Sequence, residues 1–191
     1  MKIILASNSP RRKEILSQLG IKYEVVSSKY EEKIENIQPE DLVMRFAEGK
    51  ALCVAKDILE DALVIGSDTI VYNNGILGKP KNEKDAFNML RSLSGLYHTV
   101  ISGISVIKTP SLHKITTFEK TTVKFKNLTD DEIFYYISTG EPMDKAGAYA
   151  IQGIGSLIVE RIDGCYFNVM GLPVYRLSKV LEDFEYKLLA K

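Results

Sequence analysis

An apolar strand that runs directly into the start of a helix is encoded in residues 5–12, Leu5-Ala6-Ser7-Asn8-Ser9-Pro10-Arg11-Arg12. Ser9 is a favourable N-cap, and Pro10 suits the first helical position, where its missing N–H costs nothing. Arg11 and Arg12 then fall in the first turn, where the helix dipole disfavours cations. Two interpretations remain open: both arginines and the free N–H groups bind an anion such as phosphate, or both side chains are simply solvated.

The composition is that of an ordinary globular protein of 191 residues, 45% of them hydrophobic and 26% charged. Because 25 Lys and Arg balance 25 Asp and Glu, no strong positive field exists to hold a nucleic-acid polymer. No apolar run approaches the roughly 20 residues needed to cross a bilayer, and no signal peptide is evident. We therefore expect a cytoplasmic protein with a single domain over residues 1–191, which binds neither membranes nor nucleic-acid polymers.

Strand and helix signals alternate in the first part of the chain, which predicts α/β packing. The predicted elements there are strand 2–6, helix 10–19, strand 22–27, helix 39–59, strand 62–66 and a helix from Asn82 to Gly95. The later chain is richer in β signals, which favours antiparallel additions to the sheet. The predicted elements there are strands at 98–107, 114–126, 147–151 and 156–162, a short helix with a Thr129/Glu132 capping box, and a helix from Pro173. We expect a mixed twisted sheet flanked by helices, in two lobes with a central cleft.

Carboxylates form the second group of candidates. Asp68 directly follows the predicted strand 62–66, and ligands of open α/β sheets usually bind beyond the carboxyl ends of strands. A carboxylate there can hold Mg²⁺ or accept a proton from water; the alternative is that Asp68 only caps a turn. Glu32 could join Asp68 around a divalent cation, or Glu31 and Glu32 could both face solvent.

Three further side chains have a candidate role. Lys50 lies beside the apolar stripe of the long helix, so its ammonium group could reach a cleft or remain an ordinary surface charge. Lys79 precedes Pro80, which holds its backbone extended. Gln152 lies at the end of a β pattern and offers one donor and one acceptor, which complement the edge of uracil or thymine. By itself, Gln152 could equally be an ordinary turn residue.

Six segments follow one another along nearly the whole chain: Ser7-Asn8-Ser9-Pro10-Arg11-Arg12, Arg45-Phe46-Ala47-x-x-Lys50-Ala51, Ser67-Asp68-Thr69-Ile70-Val71, Leu77-Gly78-Lys79-Pro80, Leu93-Ser94-Gly95-x-x-His98, and Asp144-Lys145-Ala146-Gly147-Ala148-Tyr149-x-Ile151-Gln152-Gly153. In this order they resemble the Maf family of nucleoside triphosphate pyrophosphatases. The resemblance implies hydrolysis of a nucleoside triphosphate to the monophosphate and pyrophosphate with Mg²⁺ or Mn²⁺. It also implies an α/β fold related to that of inosine triphosphate pyrophosphatases.

The resemblance also implies roles for individual residues. Asp68 matches the catalytic aspartate, and Arg12, Thr69 and Gln152 match the positions that characterise the branch acting on dTTP and UTP. The phosphate-binding and metal-site positions fall on Ser7, Arg11, Arg12, Glu32, Lys50 and Lys79, with Glu31 as the alternative to Glu32.

Some broader expectations come from the family, and two alternatives stay open. The family name implies a link to septum formation and cell division arrest, and the frequent dimers in the family imply a homodimer. The physiological substrate could be normal dTTP and UTP or modified pyrimidine nucleotides. The alternative function is a nucleotide sensor that regulates cell division without hydrolysis.

Overall fold

One mixed β-sheet of seven strands forms the centre of the molecule in the computed structural model, which describes residues 1–33, 35 and 37–189. The strands are β1 (Lys2–Leu5), β2 (Tyr23–Val25), β3 (Ala62–Tyr72), β4 (Ile76–Leu77), β5 (Tyr97–Thr109), β6 (His113–Phe125) and β7 (Val159–Asp163). Their order is β2-β1-β3-β5-β6-β7, and β4 pairs with the end of β3. β1 is parallel to both β2 and β3, whereas the remaining pairs are antiparallel.

Helices cover both faces of this sheet. They are α1 (Pro10–Gln18), α2 (Pro39–Ala55), α3 (Glu83–Leu93), α4 (Asp130–Ser138), α5 (Tyr166–Met170) and α6 (Val174–Asp183). Alternate residues of the strands point to opposite faces, so one face packs against α1 and α6 and the other against α2. A third apolar cluster joins α3 and α4 to the far ends of β3, β5 and β6. The predicted α/β fold with a mixed sheet flanked by helices is therefore confirmed.

The long helix α2 approaches the sheet unusually closely at two glycines. A Cβ atom on Gly66 of β3 would lie 2.2 Å from the carbonyl oxygen of Ala47, and one on Gly103 of β5 would lie 2.2 Å from that of Val43. Gly103 is directly opposite Asp68 in the β3–β5 ladder. Because a side chain at either glycine would push the helix away, these two residues set how near α2 comes to Asp68.

Several predicted element boundaries were wrong. The strand predicted at 62–66 continues to Tyr72, because β5 pairs with it along its whole length. The segment 147–151 is not a strand: Ala146–Ala148 is a 3₁₀ turn in which Gly147 and Ala148 have positive φ. The segment 156–162 begins in the 3₁₀ turn Gly153–Leu157, and the strand starts only at Val159.

Helix boundaries were closer to prediction. The capping box of Thr129 and Glu132 is present, and Asn82 accepts a hydrogen bond from the Asp85 amide at the start of α3. The predicted helix 39–59 ends at Ala55, and Pro173 is the N-cap of α6.

Strands from near both ends of the described chain share one sheet; the single domain over 1–191 stays a prediction.

No helix in the described ranges combines the length and apolar character needed to cross a membrane.

Candidate active site

A cleft of about 480 Å³ lies along an edge of β3 that has no strand beside it. β1 pairs with residues 62–65 of β3, and β4 pairs with residues 71 and 72. Between those points, within the described residues, β3 has a ladder partner only on the β5 side. Side chains from both faces of β3 can therefore reach the same cleft, which is of the size that holds small-molecule ligands.

Asp68 lies within β3, not after its end as the sequence predicted. The reason is the antiparallel partner β5, which extends β3 beyond the short parallel strand β1. The rule for open α/β sheets nevertheless leads to the correct place, because the cleft lies beyond the carboxyl end of β1 at Leu5.

A lysine joins the two candidate carboxylates. Lys50 Nζ lies 2.6 Å from Asp68 Oδ1 and 2.6 Å from Glu32 Oε1. Lys50 and Asp68 are largely shielded, with side chains 15% and 11% exposed, whereas Glu32 is 46% exposed. Gly66 and Gly103 make this arrangement possible because they allow α2, which carries Lys50, to contact the sheet. Glu32 lines the cleft, and Glu31 is not among its lining residues.

Arg12 is buried and held by three groups of the protein. Its Nε donates to the Gly171 carbonyl (2.8 Å), Nη1 to Ser7 Oγ (3.1 Å) and Nη2 to Thr69 Oγ1 (3.3 Å). Burial lowers the pKa of Arg12, and the negative charge of Asp68 opposes that shift. The guanidinium group lines the cleft and at the same time connects α1, β3 and the turn that follows α5.

A chain of hydroxyl groups continues from Thr69 into the protein. Thr69 Oγ1 lies 2.8 Å from Ser102 Oγ, which donates to the Asn168 carbonyl at 3.0 Å. On the same face of β3, Ser67 Oγ donates to the Gly171 carbonyl at 3.0 Å. Because Ser102 is fully buried, its hydrogen bond with Thr69 orients the threonine hydroxyl at the edge of the cleft.

The amino end of α1 also faces the cleft. Ser9 occupies the N-cap position as predicted, but its side chain makes no capping hydrogen bond in the described structure. Ser9, Pro10 and Arg11 line the cleft together. The first turn therefore presents backbone N–H groups and a guanidinium group to the same space, which is an arrangement that suits an anion.

A second part of the wall comes from residues 144–152 and the turn after β4. Lys79 is exposed and lines the cleft, and the Gly78 carbonyl next to it accepts from the Gly147 amide at 3.0 Å. Lys145 lines the same wall and contacts Asp144 at 2.6 Å. Gln152 also lines the cleft; it lies in a bend between Tyr149 and a 3₁₀ turn.

The cleft has an excess of positive charge. Among the residues that the structure describes, five cationic side chains and three carboxylates line it, in a chain whose formal net charge is zero. The cations are Arg11, Arg12, Lys50, Lys79 and Lys145, and the carboxylates are Glu32, Asp68 and Asp144. A ligand with several negative charges fits this balance.

The residue types also fit a divalent metal ion. The described residues contain no cluster of three or more His, Cys, Asp or Glu side chains that could form a complete metal cage. Asp68 and Glu32 nevertheless meet at one cation, Lys50 Nζ. Two carboxylates suit Mg²⁺, which binds few protein groups and keeps water and phosphate oxygens in its shell.

The structure brings together Asp68, Arg11, Arg12, Glu32, Lys50, Thr69, Lys79 and Gln152 as cleft residues, while Ser7 contacts Arg12 behind them. Sequence reasoning assigned no role to Ser67, Ser102 or Gly171. Polar Ser67 in an otherwise apolar strand was a usable signal. No sequence signal indicates a role for Gly171, because this residue contributes only a backbone carbonyl from a distant turn.

The fold is similar to that of a protein of known structure. A solved structure of the Staphylococcus aureus Ham1 protein has a TM-score of 0.53 at 16% identity, and the match covers 96% of this chain and 100% of that one. This likeness defines the class of fold. A family model described as Maf-like protein matches residues 2–184, and the chain belongs to this family.

Relatives in the family are similar over their full length. A protein from Thermoanaerobacter sp. named dTTP/UTP pyrophosphatase is 51% identical, with 99% of this chain and 100% of the relative covered. A protein of the same name from Acetivibrio thermocellus is 50% identical, with 100% of this chain and 99% of the relative covered. The resemblance to the Maf family seen in the six sequence segments is therefore confirmed.

Proposed function

We propose that the protein hydrolyses dTTP and UTP, or modified forms of them, to the monophosphate and pyrophosphate with the help of a divalent metal ion. Nucleotide pyrophosphatase activity follows from membership of the family and from relatives of that name at 50–51% identity over the full length. The observation that carries the proposal is the meeting of Asp68 and Glu32 at one cation, inside a cleft lined by arginines and lysines.

Asp68 and Glu32 would hold the ion, Mg²⁺ or Mn²⁺. When bound, the ion would supply positive charge that neutralises the phosphate oxygens and helps to orient them. Glu32 is preferred over Glu31 because Glu32 lines the cleft and contacts Lys50.

The chemistry requires a water molecule activated close to the α-phosphorus. The Asp68 carboxylate accepts the proton of that water, the new bond forms from the water oxygen to the α-phosphorus, and the bond to the bridging oxygen breaks. Pyrophosphate then leaves with its charge held by Arg11, Lys50 and Lys79. Such a transfer needs little covalent work from the protein, so positioning and charge neutralisation dominate.

Base selection is assigned to Gln152, Thr69 and Arg12, which all line the cleft. The Gln152 amide offers one donor and one acceptor, which match the adjacent carbonyl and N–H of uracil and thymine. Hydrogen bonds to Gly171 and Ser7 orient Arg12, and one with Ser102 orients Thr69, which supports a role for both side chains in base selection.

The decisive measurement is the product formed from dTTP or UTP with Mg²⁺, compared with CTP, ATP and GTP. We expect pyrophosphate and the monophosphate in equal amounts, with dTTP and UTP preferred. Release of orthophosphate and a nucleoside diphosphate would show that the bridge between the β and γ phosphates is broken, and it would contradict the proposal. Tight binding without any release would instead support the alternative, a nucleotide sensor.

Four expectations stay predictions: a cytoplasmic location, a homodimer, a single domain over 1–191, and a link to septum formation and cell division arrest.

A further inference from the structure

The turn of residues 150–155 carries Gln152. Two side chains that do not line the cleft form hydrogen bonds to this turn. Tyr136 lies on α4, and Glu141 begins the 3₁₀ turn Glu141–Asp144 that follows it. Tyr136 is 1% exposed, and its hydroxyl donates to Glu141 Oε1 at 2.8 Å. The two residues therefore form one hydrogen-bonded unit, here called the Tyr136–Glu141 pair.

The Tyr136–Glu141 pair binds both ends of this turn. At one end, the Ala150 amide donates to the Tyr136 hydroxyl at 3.1 Å. At the other end, the Ile154 amide donates to Glu141 Oε2 at 3.1 Å, and the Gly155 amide donates to Glu141 Oε1 at 3.0 Å. Gln152 lies between these anchored positions, so its backbone is restrained on both sides.

The turn packs closely against the Tyr136–Glu141 pair at two glycines. A Cβ atom on Gly155 would lie 2.2 Å from the Ala150 carbonyl oxygen and 2.6 Å from the Tyr136 hydroxyl. Gly153 has a φ of +63°, and a Cβ atom there would lie 2.6 Å from Glu141 Oε2. The two glycines thus allow the chain to close tightly around the carboxylate.

Only a carboxylate satisfies this geometry. Its two oxygens accept hydrogen bonds from the Tyr136 hydroxyl and from two consecutive backbone amides, and an acceptor is needed at both oxygens. A glutamine has one oxygen and one NH₂ group, so at least one backbone N–H would meet a donor. Leaving such a group unpaired is costly in a partly buried position.

We propose that Tyr136 and Glu141 are positioning residues for base selection, which hold the turn of residues 150–155 so that the Gln152 amide meets the pyrimidine edge in a fixed orientation. The inference rests on the role of Gln152 in the proposed function. It adds to that function two residues that touch neither phosphate nor base and that act through Gln152.

The test uses Glu141→Gln and Tyr136→Phe in the full chain, with Tyr135→Phe as matched control because Tyr135 is the neighbouring residue and is 65% exposed. The preference for UTP over CTP, as the ratio of kcat/KM values, should fall by about tenfold in both variants, a size typical of one lost hydrogen bond. The change should appear in KM for UTP, with kcat within about threefold of the unmodified protein. Tyr135→Phe should change neither value.

A double-mutant cycle shows whether the effect passes through Gln152. In a Gln152→Ala background, Glu141→Gln should cause no further loss of preference, because the group that it positions is already absent. A further loss of UTP preference of similar size in the double variant would overturn the proposal. An equal fall in kcat for UTP and CTP would also overturn it, because both results indicate that Tyr136 and Glu141 only stabilise the fold.

Hydrogen exchange provides a readout that does not depend on turnover. Glu141→Gln should speed exchange at the Ile154 and Gly155 amides while the β3 and β5 amides keep their protection. Unchanged exchange at those two amides would overturn the proposal. If the unmodified protein hydrolyses neither dTTP nor UTP, the proposed function fails, and exchange together with the binding of UTP against CTP still decides this inference.

Discussion

The ammonium group of Lys50 lies 2.6 Å from the Asp68 carboxylate, between a helix and a strand that two glycines bring into contact. Both side chains are mostly shielded from solvent, so their attraction is screened less than that of a surface pair. Glu32 contacts the same nitrogen. The three charged groups form a compact unit at the centre of the cleft, and replacing any of them should affect the reaction more than folding.

Replacement of Asp68 by asparagine keeps the size of the side chain and removes its charge. We expect pyrophosphate release from dTTP to fall at least about 100-fold, because the group proposed to accept the proton and hold the ion is lost. Asp61→Asn is the control, since that carboxylate is 61% exposed and lies outside the cleft. Undiminished turnover by Asp68→Asn would remove Asp68 from the mechanism.

Removal of divalent metal should stop pyrophosphate release, and Mg²⁺ or Mn²⁺ should restore it. Glu32→Gln should raise the metal concentration needed for half-maximal activity by about tenfold or more, because a charged oxygen proposed to bind the ion is lost. Glu31→Gln should leave that concentration unchanged. Equal effects of the two substitutions would argue against Glu32 as the metal-site glutamate.

Arg12→Lys should destabilise the protein, because one ammonium group cannot replace a planar fork that donates to Gly171, Ser7 and Thr69. We expect a loss of about 1–3 kcal/mol in the free energy of unfolding, measured with urea. Arg11→Lys should raise KM for the triphosphate but change the free energy of unfolding by less than about 0.5 kcal/mol. Similar losses of stability in both variants would contradict this division of roles.

Gly103→Ala places a methyl group where the Val43 carbonyl lies in α2. Because the backbone of a helix cannot move aside as a flexible side chain can, we expect the free energy of unfolding to fall by about 1–3 kcal/mol. We also expect a lower kcat, because the shift of α2 moves Lys50 away from Asp68. Gly75→Ala serves as control, since a Cβ atom there would meet no heavy atom within 4 Å. Both thermal unfolding and pyrophosphate release should be measured.

The buried His98 should make stability depend on pH. His98 is 3% exposed, its Nε2 lies 2.8 Å from the Tyr149 hydroxyl, and burial lowers its pKa from 6.5 to about 4. As the pH falls below about 6.5, His98 binds a proton in the unfolded chain but stays neutral in the folded protein. The contribution of His98 is therefore complete above about pH 6.5 and is lost progressively down to about pH 4, by about 3 kcal/mol in total.

Urea unfolding at pH 7 and pH 5 measures this effect. His98→Gln removes the titrating group and should show a smaller difference in the free energy of unfolding between the two pH values. If the unmodified protein and the variant lose stability in parallel, the acid sensitivity lies in other groups.

Much of the fold was readable from local patterns. The N-terminal strand and helix, the capping box at Thr129 and the Asn82 cap depend on residues close together in sequence, and all were confirmed. The strand predicted at 147–151 failed because its conformation depends on Gly147 and Ala148 adopting positive φ against the rest of the structure. Apolar residues in a 3₁₀ turn resemble those of a short strand when only their hydrophobicity is read.

Residue chemistry alone made Arg11 and Arg12 candidates for an anion site, Asp68 for a carboxylate centre and Gln152 for a pyrimidine-matching amide, because charge and hydrogen-bonding capacity belong to the side chains themselves. Each had a structural alternative, and the resemblance to the Maf family assigned the roles. Only the tertiary structure decided which groups meet. Lys50 reaches Asp68 because Gly66 and Gly103 let a helix approach the sheet, and Arg12 is anchored by a carbonyl 159 residues away. Such contacts join distant parts of the chain, and no local pattern specifies the backbone path that brings them within hydrogen-bonding distance.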